Sequence, residues 1–165
     1  MTKNSLLLTV LLLLSVSILG FSQDMKPEAG KLYNEGNALL KENDVNGAID
    51  KYNAALQIEK DYRIYYQKGV ALKKADRLED SKVAFEECLK LNSGYEGALN
   101  ALGGVYFSMG NYTASIENFE KVLKSNANNS IKAKVKKNVS LAYAKLGNES
   151  LAGGDANKGI EYLKK

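Results

Sequence analysis

Three stretches of this 165-residue chain are copies of one helix. DVNGAIDKYNAAL begins at Asp44, RLEDSKVAFEECL at Arg77 and NYTASIENFEKVL at Asn111, so the copies are spaced by 33 and 34 residues. Each has a small residue at its fifth place (Ala48, Ser81, Ser115) and an aromatic four further on (Tyr52, Phe85, Phe119). Each closes on a leucine: Leu56, Leu89, Leu123. A degenerate fourth copy, DANKGIEYLKK, starts at Asp155 with Gly159 at the small place and Leu163 at the aromatic place. A fixed period of this length means that each unit is one supersecondary element whose apolar face is covered only when the next copy stacks on it.

Every copy is preceded by a second helical pattern: LYNEGNALLKE from Leu32, YYQKGVALKKA from Tyr65, LNALGGVYFSM from Leu99 and YAKLGNESLAG from Tyr143. All four carry glycine at the fifth position, at Gly36, Gly69, Gly103 and Gly147, and a bulky apolar residue shortly after, three later at Leu39, Leu72 and Tyr106 and four later at Leu151. Glycine inside a helix costs about 1 kcal/mol against alanine. Accepting it four times implies that two backbones must approach closely there. Gly, Asn and Asp between the patterns (END, AD, MGN, GGD) mark turns, and the one proline, Pro27, precedes all of them.

On these residues the chain resembles the tetratricopeptide (TPR) repeat proteins over residues 29 to 165. The resemblance implies an all-α, right-handed TPR solenoid of about three and a half helix-turn-helix repeats. It divides the chain into repeats at 29–61, 62–95 and 96–129, then an extended helix and incomplete repeat at 130–165. Residues 23–28 form a short linker. The aromatics are expected to fill the space between one helix pair and the next. The chain also departs from the family. Lys60, Ser93 and Ala127 stand where proline often closes a repeat, and Leu32, Tyr65 and Leu99 where a bulky aromatic is usual early in the first helix. The extra residues 127–139 are read as lengthening the fourth first-helix, giving one helix from about Ile131 to Ala152. A second register pairs 142–148 with 105–111 and moves the insertion to 149–155. The last helix is either a shortened cap or, the preferred reading, the point where a longer protein has been cut.

Residues 1–22 stand apart from the repeats. Lys3 gives a positive start, Leu6 to Leu19 is predominantly apolar and Leu-rich, and Gly20 and Ser22 supply small residues before a cut ahead of Gln23. This is the layout of a cleaved secretory signal peptide, with a retained membrane anchor as the alternative. It places the protein in a periplasm or outside the cell. No cysteine adjoins the cut, which argues against a bacterial lipid anchor.

Without Lys3 the chain carries a net charge of +3, too little to argue for nucleic acid. The single Cys88 excludes an intramolecular disulfide and is read as a small core filler. There is no histidine, so no triad and no zinc site is visible. Gly103–Gly104 and Gly153–Gly154 lack the Lys and Ser/Thr of a phosphate loop. The adjacent acids Glu79–Asp80 and Glu86–Glu87 point about 100° apart on a helix and form no catalytic dyad. Catalytic, metal and cofactor sites are therefore expected to be absent. Asn-x-Ser/Thr triplets start at Asn111, Asn128, Asn138 and Asn148, and are read as chance in an Asn-rich chain. From Lys121 to Gly147 there are seven lysines and no acid. This basic flank, Lys121–Lys145, is either a solubilising face or a landing site for an acidic partner or an anionic membrane.

In TPR proteins the first helix of each pair lines a concave groove. The resemblance puts Tyr33, Asn37 and Leu40 there from repeat one, and Arg63, Tyr66, Val70, Lys73 and Lys74 from repeat two. Repeat three supplies Asn100, Gly104, Phe107 and Ser108; Ala144 and Asn148 follow in the preferred register. Tyr66 and Phe107 are candidate exposed aromatics, with Gly104 leaving a gap beside Phe107. Some TPR proteins clamp a chaperone tail's carboxylate; here Asn37 matches one such place, but Tyr33 replaces a lysine and Gly97 and Ala101 replace later basic residues. The expected function is a non-catalytic exported scaffold that binds a protein or peptide segment in its groove, without nucleic acid or a small-molecule substrate. Membrane contact would be confined to the signal segment or the basic flank. The alternative is a sensory or adaptor ectodomain at the N-terminus of a longer signalling or enzymatic protein.

Overall fold

The computed structural model describes residues 25–165, which form eight helices and no strand. The expected signal segment 1–22 and its cut before Gln23 lie outside the described residues. In chain order the helices are α1 (Pro27–Lys41), α2 (Val45–Ile58), α3 (Tyr62–Lys74), α4 (Leu78–Leu91), α5 (Glu96–Ser108), α6 (Tyr112–Lys124), α7 (Asn129–Ala152) and α8 (Ala156–Leu163). They pack as four antiparallel hairpins, α1–α2, α3–α4, α5–α6 and α7–α8, each leaning on the next. Among the described residues no helix is long and apolar enough to cross a membrane.

Local chemistry sets the hairpins. Each tight turn contains one residue in the left-handed region: Asn43 (φ 67°), Asp76 (φ 59°), Gly110 (φ 77°) and Gly154 (φ 86°). Those residue types tolerate that region best. The next helix then starts on a side-chain cap in three of the four hairpins. Asp44 accepts from the Gly47 N–H, Asn111 from the Ala114 N–H and Asp155 from the Lys158 N–H. Between hairpins, Asp61 and Asn128 cap α3 and α7 in the same way.

The glycines are contact points. A Cβ on Gly36 would stand 2.6 Å from the Tyr52 ring, one on Gly69 2.6 Å from Phe85, and one on Gly103 2.7 Å from Phe119. The aromatics are therefore not simply spacers between hairpins, as the sequence suggests. Each ring sits on the glycine of its own hairpin, and its other side joins the core made with the next. Tyr52 clusters with Ile64, Ala71 and Leu72, Phe85 with Ala98, Leu102 and Val105, and Phe119 with Ala127 and Val135. The small residues work beside them. Ser81 and Ser115 are fully buried and donate from Oγ to the carbonyls of Gly69 and Gly103, each at 2.8 Å. Cys88 is buried in the middle cluster. In the last hairpin Gly147 lies against Leu163 and Gly159 against Leu151, which is the first of the two registers considered. No aromatic is needed there because two glycines face each other: a Cβ on Gly159 would be 3.0 Å from the Gly147 carbonyl oxygen.

Candidate functional site

Successive first helices touch one another: α1 with α3, α3 with α5, α5 with α7. Among the described residues, successive second helices have no Cα atoms within 8 Å of one another. The stack is therefore shorter along its first helices, and that side is concave. The face is polar and aromatic at one end and basic at the other.

At the first end the structure ties several expected groove residues into the scaffold. Tyr33 is half-buried, its ring 6.2 Å from that of Tyr52. Asn37 accepts a 2.8 Å hydrogen bond from the Tyr52 hydroxyl. Leu40 packs on the first core cluster. Arg63 donates through Nε and a terminal nitrogen to the two carboxylate oxygens of Asp61, at 2.9 and 2.6 Å, and lies over the Tyr62 ring. Burial opposes ionisation of Asp61, but its bonds to Arg63 win and hold the carboxyl below the usual carboxylate range. The same bond, against a smaller effect of burial, raises Arg63 further above its ordinary value.

Tyr66 is not a free aromatic. Its ring meets Tyr95 edge-on at 5.0 Å and Phe85 at 5.8 Å, and Tyr95 in turn meets Tyr62 at 5.2 Å. Burial pushes the Tyr66 and Tyr95 hydroxyls up. Gly97 lies under this cluster; a Cβ there would be 3.2 Å from Tyr95 and 3.4 Å from Tyr66. The position that lacks the family's basic residue is thus filled by tyrosine rings. Tyr95 was not a candidate from the sequence, because it sits at the N-cap of α5, outside the repeated pattern.

Further along, Val70 is half-buried against the middle cluster. Phe107 is half-buried, edge-on to Tyr112 at 5.3 Å. The gap expected beside Gly104 is taken up: the Lys73 ammonium lies 3.1 Å from where a Cβ would be. Ser108 donates to the Gly104 carbonyl. Lys73, Lys74 and Asn100 are exposed, as is Asn148, while Ala144 is half-buried.

Two hollows between α5 and α7 meet at Asn138. One is lined by Asn100, Ile131, Lys134, Val135 and Lys137, the other by Lys73, Gly104, Phe107, Ser108, Phe119 and Leu141. Ile131, Asn138 and Leu141 were missed because the repeat alignment starts its fourth copy at Tyr143, and Lys134 was placed only in the basic flank Lys121–Lys145, not in the groove. The signal was present, since those positions fall on one face of an ideal helix. Among the described residues no group of His, Cys, Asp and Glu is placed to hold a metal ion. Cys88 is 0% exposed, and burial, with the Asp61 charge second, pushes its thiol up to about 12.

The tetratricopeptide repeat family model matches residues 62–95 and 97–129. The fold is that of a TPR solenoid. The TPR domain of Sgt2 from Aspergillus fumigatus superposes with a TM-score of 0.68 at 25% identity, over 79% of this chain and 85% of that one. A crystal structure of MamA gives 0.61 at 26% identity, over 84% and 77%. The first TPR of Spaghetti (RPAP3), bound to the HSP90 peptide SRMEEVD, gives 0.64 at 18% identity over 74% and 98%, a likeness of fold. Heat shock protein STI1 of Saccharomyces cerevisiae is 22% identical over 107 residues; the match spans 64% of this chain but 18% of STI1.

Proposed function

We propose that this protein is a non-catalytic, exported TPR scaffold whose first-helix face captures a segment of a partner protein. The observation that carries the reading is the concave face itself. It presents half-buried aromatics (Tyr33, Tyr66, Phe107) beside exposed polar heads (Lys73, Asn100), the mixture of anchors and adaptable contacts that suits an extended or helical peptide. The Spaghetti structure, of like fold, holds a peptide, which supports a peptide as the occupant. The chemistry of that occupant differs from a clamped chain terminus here, because Tyr33 and Gly97 occupy clamp positions and Gly97 is roofed by rings. Export rests on the composition of residues 1–22.

Photo-crosslinking from inside the cell tests both parts. A photoreactive side chain at Asn100, on the groove, should trap a discrete partner in the envelope or secreted fraction. The same group at Asp50, on a second helix, should not. Equal trapping from both positions would refute a groove site, and a protein found only in the cytoplasm with residues 1–22 intact would refute export.

A further inference from the structure

The chain's modest positive charge is not spread evenly over its helices. α3 carries Arg63, Lys68, Lys73 and Lys74 and no acid. α7 carries Lys132, Lys134, Lys136, Lys137 and Lys145 against Glu149 alone. α5 between them has one charge, Glu96, whose carboxylate accepts a bond from the Ser125 hydroxyl. With α1 neutral (Glu28 and Glu35 against Lys31 and Lys41), the four first helices thus carry a net +7. The second helices, α2, α4, α6 and α8, carry a net −2, all of it from α4. Among the described residues Lys73, Lys134 and Lys137 make no ion pair. All three are exposed and line the two hollows, beside the large apolar side chains Ile131, Phe107 and Leu141.

Resting on the peptide-binding reading above, we infer that the cleft between α5 and α7 takes an acidic segment that also carries a bulky apolar residue. Its carboxylates pair with Lys73, Lys134 and Lys137, and its apolar side chain enters a hollow beside Asn138. A concave surface lined by one sign of charge concentrates the opposite sign and speeds its arrival. A flat membrane cannot enter a cleft, so the geometry favours a peptide over a lipid surface. The cleft from Ile131 to Leu141 is about 15 Å long at 1.5 Å per helical residue, room for about five residues of extended chain.

The test uses phage-displayed random dodecapeptides selected on the immobilised protein. The selected pool should be rich in Asp and Glu with Leu, Ile or Phe among them. Binding of a labelled pool member should fall about tenfold in the variant Lys73→Gln/Lys134→Gln/Lys137→Gln, the size that three exposed ion pairs allow. It should be nearly unchanged in Lys121→Gln/Lys124→Gln/Lys136→Gln, which removes the same charge outside the cleft, and should weaken with added salt. A neutral or basic pool, or equal losses in the two variants, overturns the inference. So does sedimentation with phosphatidylglycerol vesicles, but not phosphatidylcholine ones, that follows the second variant instead of the first. Asn100→Trp separates the two levels. A neutral pool displaced by that plug defeats the acidic segment and leaves the groove reading standing, whereas peptides insensitive to it defeat both.

Discussion

Gly69→Ala adds one methyl group and should destabilise the protein, although alanine is the better helix former. The new Cβ would stand 2.6, 2.8 and 2.9 Å from Cε1, Cδ1 and Cζ of Phe85, inside any real carbon–carbon contact. The ring cannot retreat. It is 0% exposed, and its other side joins Ala98, Leu102 and Val105 of the next hairpin. Forcing an extra methyl into a packed core costs about 1–3 kcal/mol, and the gain in helix propensity returns about 1 kcal/mol, so the net loss should be up to about 2 kcal/mol. Urea unfolding followed by circular dichroism at 222 nm reads this as a lower midpoint at unchanged slope. Two controls give the opposite sign. Gly30→Ala, in α1 with nothing within 4 Å of the added carbon, should be neutral or stabilising by up to about 1 kcal/mol. In a Phe85→Ala background, itself destabilised by about 3–5 kcal/mol, Gly69→Ala should become stabilising, because the obstructing ring is gone. If Gly69→Ala raised the midpoint in the wild-type background, the glycines would not be contact points and the account of hairpin closure would fail.

Ser81→Ala removes the hydroxyl that bonds the Gly69 carbonyl at 2.8 Å and should lower stability by about 1 kcal/mol; Ser115→Ala should match it, while repeat one already has Ala48 at that place. Tyr52 has its hydroxyl pushed up to about 12, by burial first and by Tyr33 second. The unfolded chain therefore loses this proton near the ordinary value of about 10 while the folded chain keeps it, so the contribution is full below that pH and lost as pH rises through 12. Tyr52→Phe should flatten the alkaline fall in stability measured by urea midpoints from pH 9 to 11.5. Cys88 should resist a thiol reagent in the native protein and react only on unfolding, since it is buried and its thiol is held neutral. Fast labelling under native conditions would place it outside the core.

The first three repeats were legible in the chain because their causes are local, whereas two registers stayed open for the fourth. A glycine, a small residue and a ring recur at set intervals, and turn residues of the right type recur between them. From those intervals the hairpins, their order and the buried positions Ala48, Tyr52, Ser81, Phe85, Ser115 and Phe119 all follow. The groove was legible as a face but not as a surface. Period alone puts Tyr66, Val70 and Lys73 on one side of α3. It cannot say that Tyr66 is claimed by Tyr95 and Phe85, that Arg63 is held by Asp61, or that the Lys73 ammonium covers Gly104.

The sequence by itself determined a stack of like helical hairpins and which side of each helix is inward, since both depend on residues within one repeat length. Only the tertiary structure decided which inner residues remain available, because that depends on side chains from different repeats meeting across the stack. The cleft between α5 and α7 is of this kind: Lys73, Phe107 and Asn138 lie on three helices and line one hollow only when three hairpins have packed.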